Sequence, residues 1–164
     1  MDNRFVDNGD GTVSDQVTGL MWKQEDSFIE VKKFITYRQA KKFLDKLNEM
    51  KFAGYEDWRY PSREEAHSLF YQDKSKKIFD KYEMELFIDP VFTEGCGWDT
   101  WTSNKRGNIT AYTYSFASGT GGHKDVDDTL NSSVRPVRGK SDPAVLKQFG
   151  KIQARKGMYV SDQR

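Results

Sequence analysis

The stretch RFVDNGDGTVSDQ near the start of the chain constrains the fold most, because it predicts where the backbone reverses. Apolar and polar residues alternate on both sides of NGDG at 8–11, and Asn-Gly or Asp-Gly between two alternating runs is typical of a β-hairpin. The alternative is a calcium loop, whose ligands would be the side-chain oxygens of Asp7, Asn8, Asp10 and Asp15. A calcium loop of the EF-hand kind needs ligands at alternate positions and then a distant Glu. The order Asp-Asn-Gly-Asp-Gly at 7–11 does not have this spacing. We therefore predict a hairpin.

Two helices are predicted after this hairpin, each marked by a capping box. Thr36 with Gln39 begins the first, and apolar residues then recur at helical spacing as far as Met50. Ser62 with Glu65 begins the second in the same way. The sequence thus places helices between the N-terminal hairpin and the later part of the chain.

The region after Cys96 has the period-two pattern of β-strands. ITAYTYSFAS puts Tyr112, Tyr114 and Phe116 on one face of a strand, and WDTWTSN predicts a partner strand joined to it by a turn at 105–108. SGTGGHKDVDD is predicted to be a loop. SSVRPVRG is predicted to be a closing strand, in which Pro136 indicates an edge or a bulge. Strands at both ends with helices between them indicate an α+β fold.

The C-terminal segment has a different character from the rest of the chain. We divide the sequence into a domain over residues 4–139 and a basic tail over residues 140–164. A short amphipathic helix is predicted in the tail, because Pro143 precedes apolar residues at helical spacing, namely Val145, Leu146, Phe149 and Ile152. Basic charge without interleaved aromatic residues does not favour binding to nucleic acid or acidic lipid, so docking of the apolar stripe on the domain or on a partner chain is the preferred interpretation.

Composition restricts the chemistry. The chain has 26 Lys and Arg against 25 Asp and Glu, so its net charge of +1 creates no global field that attracts polyanions. Cys96 is the only cysteine, which excludes an intramolecular disulfide, and two histidines make a zinc site unfavourable. There is no apolar run of membrane-spanning length, so no membrane insertion is predicted, and no signal-type start. The sequence alone leaves a cytoplasmic and an exported location both open.

Six motifs occur in the order that is characteristic of a large bacterial family: RFVDNGDGTVSDQVTGLMWKQ, AGYEDWRYPSREEAHSLF, FIDPVF, WTSN, AYTYSF and SVRPVRG. Between Arg4 and Gly139 the chain resembles the domain family named after the C-terminal region of the collagen-like protein Lcl. The resemblance implies a C-type-lectin-like fold shared with formylglycine-generating enzymes, with two short helices packed on a mostly antiparallel, twisted sheet. It also implies an extracytoplasmic or cell-surface location, and binding of glycans or host surfaces by some relatives. Tyr60, Ala66 and Thr102 depart from the family pattern, and the excursion at 74–85 is long.

We interpret the chain as a non-catalytic recognition module that binds a glycan or a protein surface. Sugars are held by aromatic ring faces, with polar groups fixing the hydroxyls. One strand-and-loop region supplies both, and the expected ligand-binding residues are Trp98, Asp99, Asn104, Lys105, Arg106 and Tyr112. Trp58, Trp101 and Tyr114 are instead expected to fill the core.

Two other chemistries are weighed against this interpretation. A catalytically altered relative of the formylglycine-generating oxidases is the alternative function, but in the relatives that chemistry relies on a pair of cysteines, and this chain has Cys96 alone. No cofactor is predicted apart from a possible calcium ion. The ligands of this ion would be three carboxylates of one short stretch, Asp125, Asp127 and Asp128. A solvated acidic loop is the simpler explanation of the same stretch.

Overall fold

The computed structural model describes residues 3–154 of the 164-residue chain. Within this range the protein is a mixed α+β fold with short helices and mostly antiparallel sheets. The strands are β1 (Phe5–Asp7), β2 (Thr12–Asp15), β3 (Met21–Lys23), β4 (Ile78–Phe79), β5 (Glu85–Leu86), β6 (Asp99–Arg106), β7 (Thr110–Ser115), β8 (Thr120–Asp125), β9 (Ser132–Ser133), β10 (Val137–Arg138) and β11 (Gln153–Ala154). The α-helices are α1 (Ser27–Val31), α2 (Tyr37–Glu49), α3 (Arg63–His67) and α4 (Pro143–Leu146).

The predicted N-terminal hairpin is confirmed. Strands β1 and β2 pair antiparallel, with Phe5 opposite Asp15, and they belong to a sheet of order β1-β2-β3-β10. The acidic residues of the turn bind backbone amides, since Asp7 Oδ1 accepts from Gly9 N at 2.9 Å and Asp10 Oδ1 accepts from Thr12 N at 3.1 Å. These carboxylates therefore stabilise the turn.

The central sheet has the order β11-β8-β7-β6-β9. Strands β6 and β7 pair antiparallel as the sequence predicts, but the prediction of a loop over SGTGGHKDVDD is wrong, because Thr120–Asp125 forms strand β8 on the other side of β7. The two glycines of this strand are buried. A Cβ atom on Gly121 would lie 3.3 Å from Cγ2 of Ile152, so glycine here leaves room for the C-terminal segment.

The predicted closing strand is divided between two sheets. Ser132–Ser133 pairs parallel with β6 in the central sheet, and Val137–Arg138 pairs antiparallel with β3 in the N-terminal sheet. Pro136 lies between the two halves, and its carbonyl accepts from Lys23 N at 3.0 Å. This short segment therefore joins both sheets.

Two apolar clusters lie on opposite faces of β7. Tyr114 and Phe116 belong to the cluster shared with the N-terminal sheet, whereas Ala111 belongs to the cluster beneath α2. Three aromatic residues predicted to fill the core are almost completely buried, namely Trp58, Trp101 and Tyr114. The indole nitrogen of Trp101 donates to the Ile35 carbonyl at 3.0 Å.

Helices α2 and α3 begin at the predicted capping boxes, both of which are formed. The sequence did not reveal α1, whose N-cap is the buried Asp26. Asp26 Oδ1 accepts from Ile29 N at 3.2 Å, and Oδ2 accepts from Gly97 N at 2.8 Å and from Ser133 Oγ at 2.9 Å. One carboxylate thus connects α1, the loop before β6, and β9.

The described part of the tail packs on the domain. Its helix α4 is shorter than the predicted amphipathic helix, because a 3-10 turn replaces the α-helix at 147–149. Gly150, with φ of 85°, ends this 3-10 turn. Ser141 Oγ donates to Glu65 Oε2 at 2.7 Å, and a ring nitrogen of His67 lies 3.0 Å from the Phe149 carbonyl. The rest of the predicted basic tail, residues 155–164, lies outside the described residues. No helix in the described range is long and apolar enough to cross a membrane.

Candidate functional site

The six residues predicted to bind a ligand do not form one site. Asp99 begins β6 and is buried, with 1% of its surface exposed, and the preceding Trp98 is half-buried against the first apolar cluster. Asn104, Lys105 and Arg106 lie at the far end of the same strand. At about 3.3 Å per residue, Asp99 and Lys105 are about 20 Å apart. The structure therefore separates the first two residues from the others.

Asn104 and Tyr112 hold the start of α3 against the central sheet. Asn104 Oδ1 accepts from Arg63 N at 3.0 Å, and the guanidinium carbon of Arg63 lies 4.4 Å from the centre of the Tyr112 ring. His123 meets the same ring edge-on at 5.9 Å. These contacts join both predicted residues to α3, and ligand binding by Asn104 and Tyr112 stays a prediction from the sequence.

Lys105 lies at a cleft of about 330 Å³, which we call the Tyr37 cleft. It is formed by the first turns of α2, the end of β6, and the turn between β6 and β7. Its lining residues are Tyr37, Arg38, Lys41, Lys42, Lys105, Asn108 and Val126. Four cationic side chains, one aromatic ring and one amide therefore surround a single small space.

The Tyr37 ring is fixed by its neighbours. It stacks on Tyr60, with ring centres 4.5 Å apart and planes 3° from parallel, and Trp101 meets it edge-on at 5.6 Å. The Tyr60 hydroxyl also donates to the Tyr37 carbonyl at 2.6 Å. Lys105 Nζ lies 5.8 Å from the ring centre. Burial raises the pKa of Tyr37, so its hydroxyl stays protonated at neutral pH and can donate a hydrogen bond.

The charge around the Tyr37 cleft is only partly balanced. Arg38 pairs with Asp127 at 3.1 Å and Lys41 pairs with Asp45, but these side chains are more than half exposed, and exposed ion pairs contribute little. Lys42 and Lys105 form no ion pair with residues of the described range. The positive end of the α2 dipole is also nearby. The cleft is therefore locally cationic, although the whole chain is almost neutral.

The three carboxylates predicted as calcium ligands make local contacts. Asp125 Oδ1 accepts from Asp127 N and Asp128 Oδ1 accepts from Leu130 N, both at 2.8 Å, while the Asp127 carboxylate faces Arg38. Among residues 3–154, no group of three or more His, Cys, Asp or Glu side chains is arranged to hold a metal ion. Calcium binding at this loop stays a prediction from the sequence alone.

Cys96 lies in the first apolar cluster and is completely buried. Burial raises the pKa of its thiol to about 12, so almost none of it ionises at neutral pH. The thiolate is the reactive form of cysteine, and catalytic cysteines have lowered pKa values and partial exposure. Cys96 has the environment of a packing residue.

The aromatic and cationic residues of the Tyr37 cleft on α2 were missed at the sequence level, and only Lys105 was identified. Residues 11–138 match the model of the family described as Lcl C-terminal domain. A search of curated proteins found no match.

Proposed function

The chain belongs to the Lcl C-terminal domain family, and from this premise we propose that it is a non-catalytic recognition module that binds an anionic glycan in the Tyr37 cleft. The observation that supports the proposal is the placement of four cationic side chains around one immobilised aromatic ring. The family resemblance also supports a C-type-lectin-like architecture and a role in recognition at a cell surface.

The chemistry of the cleft suits a sugar that carries a carboxylate or a sulfate. In this proposal the C–H groups of a sugar ring pack on the face of Tyr37 opposite Tyr60. Lys42 and Lys105 can then bind the acidic group, and the Asn108 amide can bind a hydroxyl. A volume of about 330 Å³ is at the lower end for small-ligand sites, so the cleft accommodates one or two residues of a longer chain.

The alternative function, an altered oxidase of the formylglycine-generating kind, has less support. It would need a reactive thiol, whereas Cys96 is enclosed by apolar residues and its pKa is raised to about 12. The recognition proposal depends on no ionised thiol.

Calorimetric titration with a sulfated, a uronic-acid and a neutral tetrasaccharide tests the proposal. We expect the two acidic sugars to bind and the neutral one to bind at least tenfold more weakly, and we expect affinity to fall as salt is raised. Lys105→Gln should weaken binding about three- to tenfold, the effect of one partly exposed charge-assisted hydrogen bond.

Lys77→Gln is the matched control, since it removes the same charge from an exposed lysine on the β4–β5 hairpin. Equal affinities of the Lys105→Gln and Lys77→Gln proteins would show that the sugar does not occupy this cleft. Absence of binding to both acidic sugars would reject the glycan proposal itself.

A further inference from the structure

A second cleft, of about 550 Å³, lies between α1 and α2, and we call it the apolar groove. Its apolar lining consists of Val31, Ile35, Phe43, Leu47 and Met50. Its lysine rim consists of Lys33, Lys42 and Lys46. Lys42 also lines the Tyr37 cleft, so the two sites share one side of α2.

The apolar groove follows a face of α2 on which Phe43 and Met50 are accessible and Leu47, 3% exposed, lies beneath them in the core. Phe43, Leu47 and Met50 are spaced by four and three residues, which places them on the same helix face. Met50 is 62% exposed and Val31 is 36% exposed, so no part of residues 3–154 covers this end. Apolar surface left open in this way, with polar residues at its edge, is typical of a ligand-binding groove.

The groove is long relative to its volume. Gln39 and Met50 both line it, and eleven residues of helix at 1.5 Å each extend about 16 Å. A volume of about 550 Å³ spread over that length suits an extended chain better than a fused-ring compound or a helix of a protein partner. The shape therefore favours a flexible, linear ligand.

The rim determines the charge of that ligand. Lys33, Lys42 and Lys46 form no ion pair with residues of the described range. The only acidic residue of the lining is Glu30, and its carboxylate is already paired with the buried Lys23. Among the lining residues, a negatively charged head group would find three ammonium groups and no unpaired carboxylate.

We propose that the apolar groove binds a medium-chain fatty acid, with its acyl chain along the accessible residues Val31, Phe43 and Met50 and its carboxylate at the lysine rim. The proposal is tested separately from glycan binding, because Lys33, Lys46 and Met50 line the apolar groove and not the Tyr37 cleft. No covalent step is involved.

Titration of the full chain with dodecanoate, below its micelle concentration, is the first test. Each buried methylene contributes about two- to fourfold to affinity, so we expect decanoate, which is two methylenes shorter, to bind about four- to sixteenfold more weakly than dodecanoate. Similar affinities for the two acids would mean that only the charge is recognised and would overturn the proposal.

Met50→Glu is the decisive variant. It puts a carboxylate at the apolar end of the groove, on an exposed residue whose replacement leaves the core intact. Met84→Glu is the matched control, because Met84 is also an exposed methionine, 48% exposed, on the β4–β5 hairpin. We expect at least a tenfold loss for Met50→Glu and no change for Met84→Glu, and equal behaviour of the two variants would reject the site.

The head group and the source of the acyl chain are tested separately. Lys33→Gln combined with Lys46→Gln should weaken dodecanoate at least fivefold, and dodecanol should bind more weakly than dodecanoate. Binding to anionic phosphatidylglycerol vesicles without binding of free dodecanoate would identify a membrane contact instead. Binding of an acidic amphipathic peptide in place of the fatty acid would identify a protein-docking surface. Either of these two results would overturn the proposal.

Discussion

Asp26 offers the sharpest test of how this fold is held together. Its carboxylate is the N-cap of α1, and it is 98% buried, since only 2% of the residue is exposed. It accepts from Ile29 N, Gly97 N and Ser133 Oγ, which belong to three separate parts of the chain. Replacement by alanine removes all three hydrogen bonds at once.

The expected loss of stability for Asp26→Ala can be assembled from these contacts. Loss of an N-cap costs about 1 kcal/mol. The Gly97 amide would be left buried without an acceptor, at a cost of about 1–3 kcal/mol. Ser133 Oγ still has the Asp99 carbonyl at 3.0 Å, so its loss is about 1 kcal/mol. We expect a total of about 3–5 kcal/mol, a large share of the 5–15 kcal/mol typical of a domain.

The measurement is urea unfolding followed by tryptophan fluorescence, with the free energy of unfolding obtained by linear extrapolation. Asp142→Ala is the matched control, because Asp142 is an exposed N-cap aspartate that accepts from Ala144 N at 2.9 Å. It should cost about 1 kcal/mol or less. Asp26→Asn keeps the shape but has only one acceptor oxygen, so it should also destabilise. If Asp26→Ala were no more harmful than Asp142→Ala, the role assigned to this buried carboxylate would be wrong.

Two further predictions concern titratable groups. Because burial raises the pKa of Cys96 to about 12, iodoacetamide at pH 8 should leave the folded chain unmodified and label it rapidly in denaturant; rapid labelling of the folded chain would contradict the enclosed position. Burial lowers the pKa of His67 in the folded state below its ordinary value of 6.5. As the pH falls through 6.5, the unfolded chain therefore takes up a proton at His67 before the folded chain does, and the free energy of unfolding decreases. The loss of unfolding free energy between pH 7.5 and pH 5 should be smaller in His67→Gln than in the control His123→Gln, and equal losses would refute this assignment.

The parts of the fold that sequence predicts well are those set by local chemistry. The NGDG turn, the two capping boxes and the alternating residues of β7 each involve neighbours in sequence, so their signals are complete within a few positions. Strand β8 was missed for the opposite reason. Its glycines are typical of a loop, and their role depends on Ile152, which packs over Gly121 from a distant segment.

The candidate site was harder to predict than the fold. Lys105 was identified because it follows an aromatic-rich strand, but Tyr37, Arg38 and Lys41 belong to a helix whose charged side is ordinarily solvated. Only the three-dimensional position of the end of β6 and of the turn after it, at 107–109, brings them together with Lys105. The burial of Asp99 could not be predicted either, since nothing in its sequence context distinguishes a buried aspartate from an exposed one.

The division of residues 132–138 between the two sheets bears on synthesis of the chain. Strand β3 is made well before its neighbour β10, because Trp22 pairs opposite Val137, 115 residues further along the chain (137 − 22). Such remote pairings slow folding, because a long segment must be closed before the contact forms. During synthesis strand β3 therefore lacks its β10 partner until the end of the domain has been made. A translation product that stops before residue 132 leaves the edges of β3 and β6 unpaired, and such open sheet edges promote aggregation.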